Sequence, residues 1–125
     1  MEQLNFAGTE DTPTVLIDET KELFQISGRS LPEDVTTFYK PVIDWLDLFS
    51  VTPTKCMTLQ VKLEYFNTAS SKILLDILMK LEEIHQAGTS EIKVNWHYDK
   101  RDDDMLEAGE EYKDLVEIPF ELHAF

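Results

Sequence analysis

The chain has 125 residues, 42% of them hydrophobic, and a formal charge of −14 from 25 acidic against 11 basic side chains. That is enough chain for one self-sufficient core and a composition typical of folded rather than disordered proteins. The acidic field repels phosphate backbones and anionic lipid, so nucleic acid and membrane are disfavoured partners.

The N-terminal stretch MEQLNFAGTEDTP lacks the basic start and apolar core of a signal peptide. No apolar run approaches the roughly 20 residues of a membrane span, and the lone Cys56 has no partner for an internal disulfide. A cytoplasmic location is therefore expected, with residues 1–13 mobile.

TVLID (14–18) and ELFQIS (22–27) are short, apolar-rich runs separated by Glu19 and Thr20, the pattern of a hairpin. GRSLPED supplies the turn residues Gly28, Ser30 and Pro32. In TFYKPVIDWLDLFS the apolar Phe38, Val42, Trp45, Leu46 and Phe49 recur at helical spacing, with Pro41 expected near the first turn, where a missing N–H costs little.

MTLQVKLEYF (57–66) alternates: Met57, Leu59, Val61, Leu63 and Tyr65 face one way and polar side chains the other, the mark of a strand with one wet face. Lys72 to Ala87 carries Leu74, Ile77, Leu78, Leu81 and Ile84 on a helical stripe and stops at Gly88. EIKVNWHY (91–98) alternates again. An acidic turn at Asp102–Asp104 suits the start of a further helix, which Gly109 weakens. Val116 to His123 gives a last alternating strand, with Pro119 on its outward side, which places it at a sheet edge.

The order β-β-α-β-α-β-α-β, joined by right-handed crossovers, makes the last three strands parallel. Alternating rather than continuously apolar strands put the helices on one face, which predicts a two-layer α/β domain with a mixed sheet and one open face.

No sequence motif supplies catalytic machinery: GxxxxGK[ST], GxGxxG and GxSxG are all missing from a chain with four glycines. His85, His97 and His123 are too dispersed for metal-ligand spacing, although the last two share the outward parity of their strands. Asp102, Asp103 and Asp104 lack the later oxygens and the Glu of a calcium loop. Nothing basic beyond Lys55 argues for a reactive Cys56 thiolate. No enzyme, metal or cofactor is expected.

The segment YFNTASSK (65–72) is the unusual one, with Asn67, Thr68, Ala69, Ser70 and Ser71 crowded where a strand hands over to a helix. Asn67, Thr68 or Ser70 suits a helix cap, whose first N–H groups need acceptors. A hydroxyl at a helix N-terminus also makes a workable phosphorylation switch, because added phosphate meets free N–H groups and the positive end of the dipole.

GRSLPEDVTTFYKPVIDWL (28–46), EYFNTASSK (64–72) and VNWHYDKRDDDMLEAGEEY (94–112), closing with EIPFEL, together resemble the SiaC-type biofilm regulatory phosphoproteins over nearly the whole chain. That resemblance implies a STAS-like fold, similar to anti-sigma-factor antagonists, and a partner-switching role in c-di-GMP signalling. A dedicated Ser/Thr kinase would phosphorylate Thr68, a PP2C-type phosphatase would reverse it, and the unmodified form would bind and activate a diguanylate cyclase. Ala69 stands where the family commonly carries serine, which narrows the acceptor to Thr68, Ser70 or Ser71. Lys100 and Arg101 interrupt an otherwise acidic run. The alternative within the same fold is an antagonist of an anti-sigma factor, acting on transcription.

Overall fold

A computed structural model describes residues 3–51, 53, 55–88 and 90–125 of the chain. Its strands are β1 (Leu4–Phe6), β2 (Thr14–Asp18), β3 (Leu23–Ser30), β4 (Cys56–Phe66), β5 (Glu91–Tyr98) and β6 (Phe120–Ala124). They form one sheet in sequential order, antiparallel from β1 to β3 and parallel from β3 to β6. Each parallel step is bridged by a helix: α1 (Val35–Val51), α2 (Thr68–Gln86) and α3 (Asp103–Leu115).

The inward residues of the strands and the apolar stripes of all three helices form one buried cluster. Burying each large apolar side chain is worth about 1.5–3 kcal/mol. The opposite sheet face is polar, with Gln60, Asn95, His97 and His123 joined by hydrogen bonds across β4, β5 and β6. The expected two-layer α/β arrangement with an open face is therefore the observed one.

Five details differ from expectation. Within the segment expected to be mobile before Thr14, Leu4–Phe6 forms β1, and Phe6 packs edge-on against Phe38 at 5.9 Å; Met1 and Glu2 lie outside the described residues. Gly28 and Ser30 belong to β3 rather than to a turn.

Pro41 lies inside α1, beyond its first turn, because the helix begins at Val35 with Asp34 accepting from the Thr37 N–H at 3.1 Å. The exposed position of Pro41 leaves the unpaired carbonyl one turn back close to solvent, which limits the usual cost. The last strand is shorter than its alternation: only Phe120–Ala124 pairs with β5, while Val116 caps α3 and buries its side chain with Ile118.

Tyr65, expected inward, is exposed. The register of β3 with β4 passes from Gly28↔Leu63 to Arg29↔Tyr65, so Glu64 is an extra residue. Such a bulge inverts the facing of everything after it. Gly28, at φ 101, takes a backbone conformation open to glycine. Beyond the bulge Tyr65 points out under the Arg29 guanidinium, and Phe66 turns inward to meet Trp96 edge-on at 6.1 Å.

Gly109, which weakened the prediction of α3, is required by packing. A Cβ there would fall 2.5 Å from Trp96 Cδ1 and 2.7 Å from Leu122 Cδ2. The Trp96 indole N–H in turn donates to the Met105 carbonyl at 3.0 Å, fixing α3 over β5.

Candidate functional site

The bulge delivers the chain from β4 into the turn that starts α2. Asn67 has extended backbone angles, and its Oδ1 accepts from the Ser70 N–H at 2.8 Å, while its carbonyl accepts from the Ser71 N–H at 3.0 Å. Asn67 is thus the N-cap among the three candidates. Thr68 is the first helical residue, exposed, and has no part in the cap bond. Ala69 beside it is also exposed.

The other two hydroxyls are committed. Ser70 is fully buried; its Oγ lies 2.8 Å from Ser30 Oγ and donates to the Ser30 carbonyl at 2.9 Å. Ser30 Oγ also meets the Tyr39 hydroxyl at 2.6 Å, with both residues fully buried. Each hydroxyl has one proton, so the order follows by count: Tyr39 donates to Ser30, Ser30 to Ser70, and Ser70 to the Ser30 carbonyl. Burial pushes the Tyr39 phenol up to about 12, against the pull of its bond to Ser30. The Ser71 hydroxyl donates back to the Thr68 carbonyl at 2.6 Å. Of the three hydroxyls in this turn, Thr68 alone is both exposed and outside these bonds.

Three further contacts tie the turn to the body of the domain. The Asn67 N–H donates to the Ser30 carbonyl at 3.1 Å, and from α3 the Tyr112 hydroxyl donates to the Ser71 carbonyl at 2.7 Å. From α1, Tyr39 reaches the same turn through Ser30. The sequence marks Ser30 only as a turn residue and gives no role to Tyr39 or Tyr112. The polar tips of the two tyrosines, each on an apolar helix face, were the available signal, since a buried phenol needs a partner.

The remaining candidates resolve into structural roles. Asp102 caps α3, its Oδ1 accepting from the Met105 N–H at 3.0 Å, with Asp103 and Asp104 in the first turn where the dipole favours them. Arg101 folds back onto Asp99 with two bonds, Nε–Oδ1 at 3.1 Å and Nη2–Oδ2 at 2.9 Å, which holds the Asp99 carboxyl down at about 2. His97 and His123 do lie together, paired in register with ring centroids 5.2 Å apart, but their Nε2 atoms contact Gln60 and Asn95. Among the described residues no group of three or more His, Cys, Asp or Glu is placed to hold a metal, and no helix is long and apolar enough to cross a membrane.

This framework has close counterparts. The model of the SiaC family, described as regulatory phosphoproteins, matches residues 6–125. An uncharacterised protein of Pseudomonas aeruginosa strain UCBPP-PA14 is 35% identical over 124 residues, spanning 99% of this chain and 98% of that one. Apo-SiaC from Pseudomonas aeruginosa superposes with a TM-score of 0.91 at 35% identity, over 99% of this chain and 100% of that one. A chain from the complex of the diguanylate cyclase SiaD with its activator SiaC, from the same species, gives 0.91 at 34% identity over 98% of this chain and 99% of that one. The chain belongs to the SiaC family of regulatory phosphoproteins.

Proposed function

We propose that this chain is a cytoplasmic partner-switch protein, phosphorylated at Thr68, which in its unmodified form binds and activates a diguanylate cyclase. A Ser/Thr kinase adds the phosphate and a PP2C-type phosphatase removes it. The observation that carries the reading is the isolation of Thr68: it is exposed on the first residue of α2, whereas Ser70 is buried and Ser71 is bonded to the backbone. The SiaD–SiaC complex supplies the class of partner.

The chemistry of a switch at this position is simple. Phosphate brings nearly two negative charges and a tetrahedral oxygen array to a helix N-terminus, where backbone N–H groups and the dipole stabilise it within the domain. A partner that covers Thr68 must then desolvate that charge, which is costly without a matching cation. The modified form is accordingly stable and the complex is not. The protein acts by binding and needs no catalytic group of its own.

The test is peptide mass spectrometry on the protein from its native cells, paired with a cyclase assay on the two isolated forms. The expected result is phosphate on Thr68 and stimulation by the unmodified form only. Full cyclase stimulation by the stably phosphorylated protein would overturn the reading, and recovery of a sigma regulator instead of a cyclase from lysate would favour the antagonist role.

A further inference from the structure

We infer that the stacked pair His97 and His123 is an acid-sensitive latch on the edge strand β6, holding the strand at neutral pH and loosening it as both rings gain charge. The inference concerns the open sheet face and is independent of the cyclase partnership.

His97 on β5 and His123 on β6 are directly paired in the parallel register, with ring centroids 5.2 Å apart and planes 25° from parallel. Each ring is pinned by an amide side chain: His97 Nε2 lies 2.7 Å from Gln60 Oε1, and His123 Nε2 lies 3.1 Å from Asn95 Oδ1. An amide oxygen only accepts, so Nε2 carries the hydrogen in both rings and an added proton goes to Nδ1. In the sheet β6 has a neighbour on one side alone. Repulsion between the two rings is therefore passed to the single ladder that holds the strand.

The charges around the pair are unequal. On β6 the Glu121 carboxylate lies 3.2 Å from His123 Nε2, and Lys93 of β5 meets the same carboxylate at 3.1 Å. From β4, Lys62 adds a cation near His97. A first proton is thus accommodated on His123 beside Glu121, whereas a second, on His97, meets two cations. Burial, then His123 and Lys62, hold the His97 imidazole below its ordinary 6.5. The closed strand therefore refuses a proton that the open strand accepts. The latch is intact above pH 6.5 and weakens as the pH falls below it. Glu121, held below its usual 4.5 chiefly by Lys93, keeps its charge through this window.

The strand that loosens is not a free end of the fold. Its Phe120 ring stacks with Trp96 at 6.4 Å, and the Phe125 N–H just beyond it donates to the Tyr98 carbonyl at 2.9 Å. The Lys62 ammonium sits 4.4 Å from the centroid of the Phe125 ring. Lys62 thus grips the residue after β6 while making a charge on His97 more costly.

The experiment is amide hydrogen exchange on the purified chain, expressed as protection factors at about pH 7.5 and about pH 5.5, with β2 as the internal reference. Wild type is compared with His97→Gln, which keeps a donor for Gln60. His85, whose Nδ1 accepts from the Ile92 N–H at the other end of β5, is the same in both and cancels. Protection of β6 is expected to fall at least about threefold more than that of β2 in wild type, and to stay within about 1.5-fold of it in His97→Gln. Ring titration of wild type by nuclear magnetic resonance, which needs no variant to fold, should place the His97 midpoint below that of His123. In His123→Gln the His97 midpoint should rise. Unchanged β6 protection in wild type, an equal fall in His97→Gln, or a His97 midpoint at or above that of His123 overturns the latch.

Discussion

The Ser70 hydroxyl donates to the carbonyl of Ser30, 40 residues earlier, over 2.9 Å, and both side chains are fully buried. With the Ser30–Ser70 hydroxyl pair and the Asn67 N–H on the same carbonyl, this bond fastens the start of α2 to the end of β3, two elements that the sequence separates by a whole helix and strand. Ser70→Ala is expected to lower stability by about 1–2 kcal/mol, because it removes one buried bond and strips the Ser30 hydroxyl of its acceptor. Phosphate incorporation at Thr68 should persist in this variant. Urea denaturation and intact-mass measurement of the kinase-treated protein check the two halves separately.

Asn67 supplies the other fastening, and its contribution is separable. Asn67→Ala loses the bond to the Ser70 N–H and is expected to cost about 1 kcal/mol, whereas Asn67→Ser retains a capping oxygen and should recover most of it. Urea midpoints of the two variants against wild type decide this. Equal losses would mean that the serine oxygen does not take over the bond to the Ser70 N–H.

Much of this fold was legible in the residues. Met57 to Leu63 alternates because one face of β4 is covered by helices and the other is open, and Gly88, at φ 81, ends the long helix as its type suggests. Tyr65 was misread because periodicity assumes an unbroken register, and the bulge opposite Gly28 and Arg29 depends on how two distant strands pair. The cap was readable from Asn67 because capping is local. The Tyr39–Ser30–Ser70 relay was not, since nothing in a sequence window reveals that residues 9 and 40 positions apart converge.

Gly109 tests packing against propensity with opposite signs. Alanine is the better helix former by about 1 kcal/mol, so propensity alone predicts that Gly109→Ala stabilises α3. The new Cβ would instead press on Trp96 and Leu122 at 2.5 and 2.7 Å. A net loss of about 1–3 kcal/mol is expected, seen as a lower thermal midpoint with altered tryptophan fluorescence. A rise in the midpoint would show that the indole yields easily.

Tyr39 gives the domain an alkaline limit. Its folded pKa is raised to about 12 by burial, above the ordinary value of 10.0, so the folded state keeps its proton where the unfolded state releases it. Stability from this group is intact below pH 10.0 and is lost as the pH climbs from there through about 12. Tyr112, also raised by burial, adds in the same direction. Urea midpoints should fall across this window, and Tyr39→Phe should flatten the fall at the expense of a missing donor to Ser30 at lower pH. Ionisation of Tyr39 in the native state near pH 10, seen by ultraviolet difference absorbance, would contradict its burial.

Thr68 carries the sharpest contrast. Its side chain is exposed and outside the cap, so Thr68→Ala should leave both the fold and cyclase binding near wild type while abolishing phosphate incorporation and locking the protein in its binding form. Thr68→Asp places about one charge at the helix N-terminus without the tetrahedral oxygens of phosphate, so it should weaken binding less than true phosphorylation does. It should also raise the thermal midpoint slightly, since an anion there is favoured by the dipole by about 0.3–1 kcal/mol. Stability and affinity then move in opposite directions in one variant, which a damaged fold would not produce. Loss of binding in Thr68→Ala would instead place the hydroxyl itself in the interface, as a contact the cyclase needs.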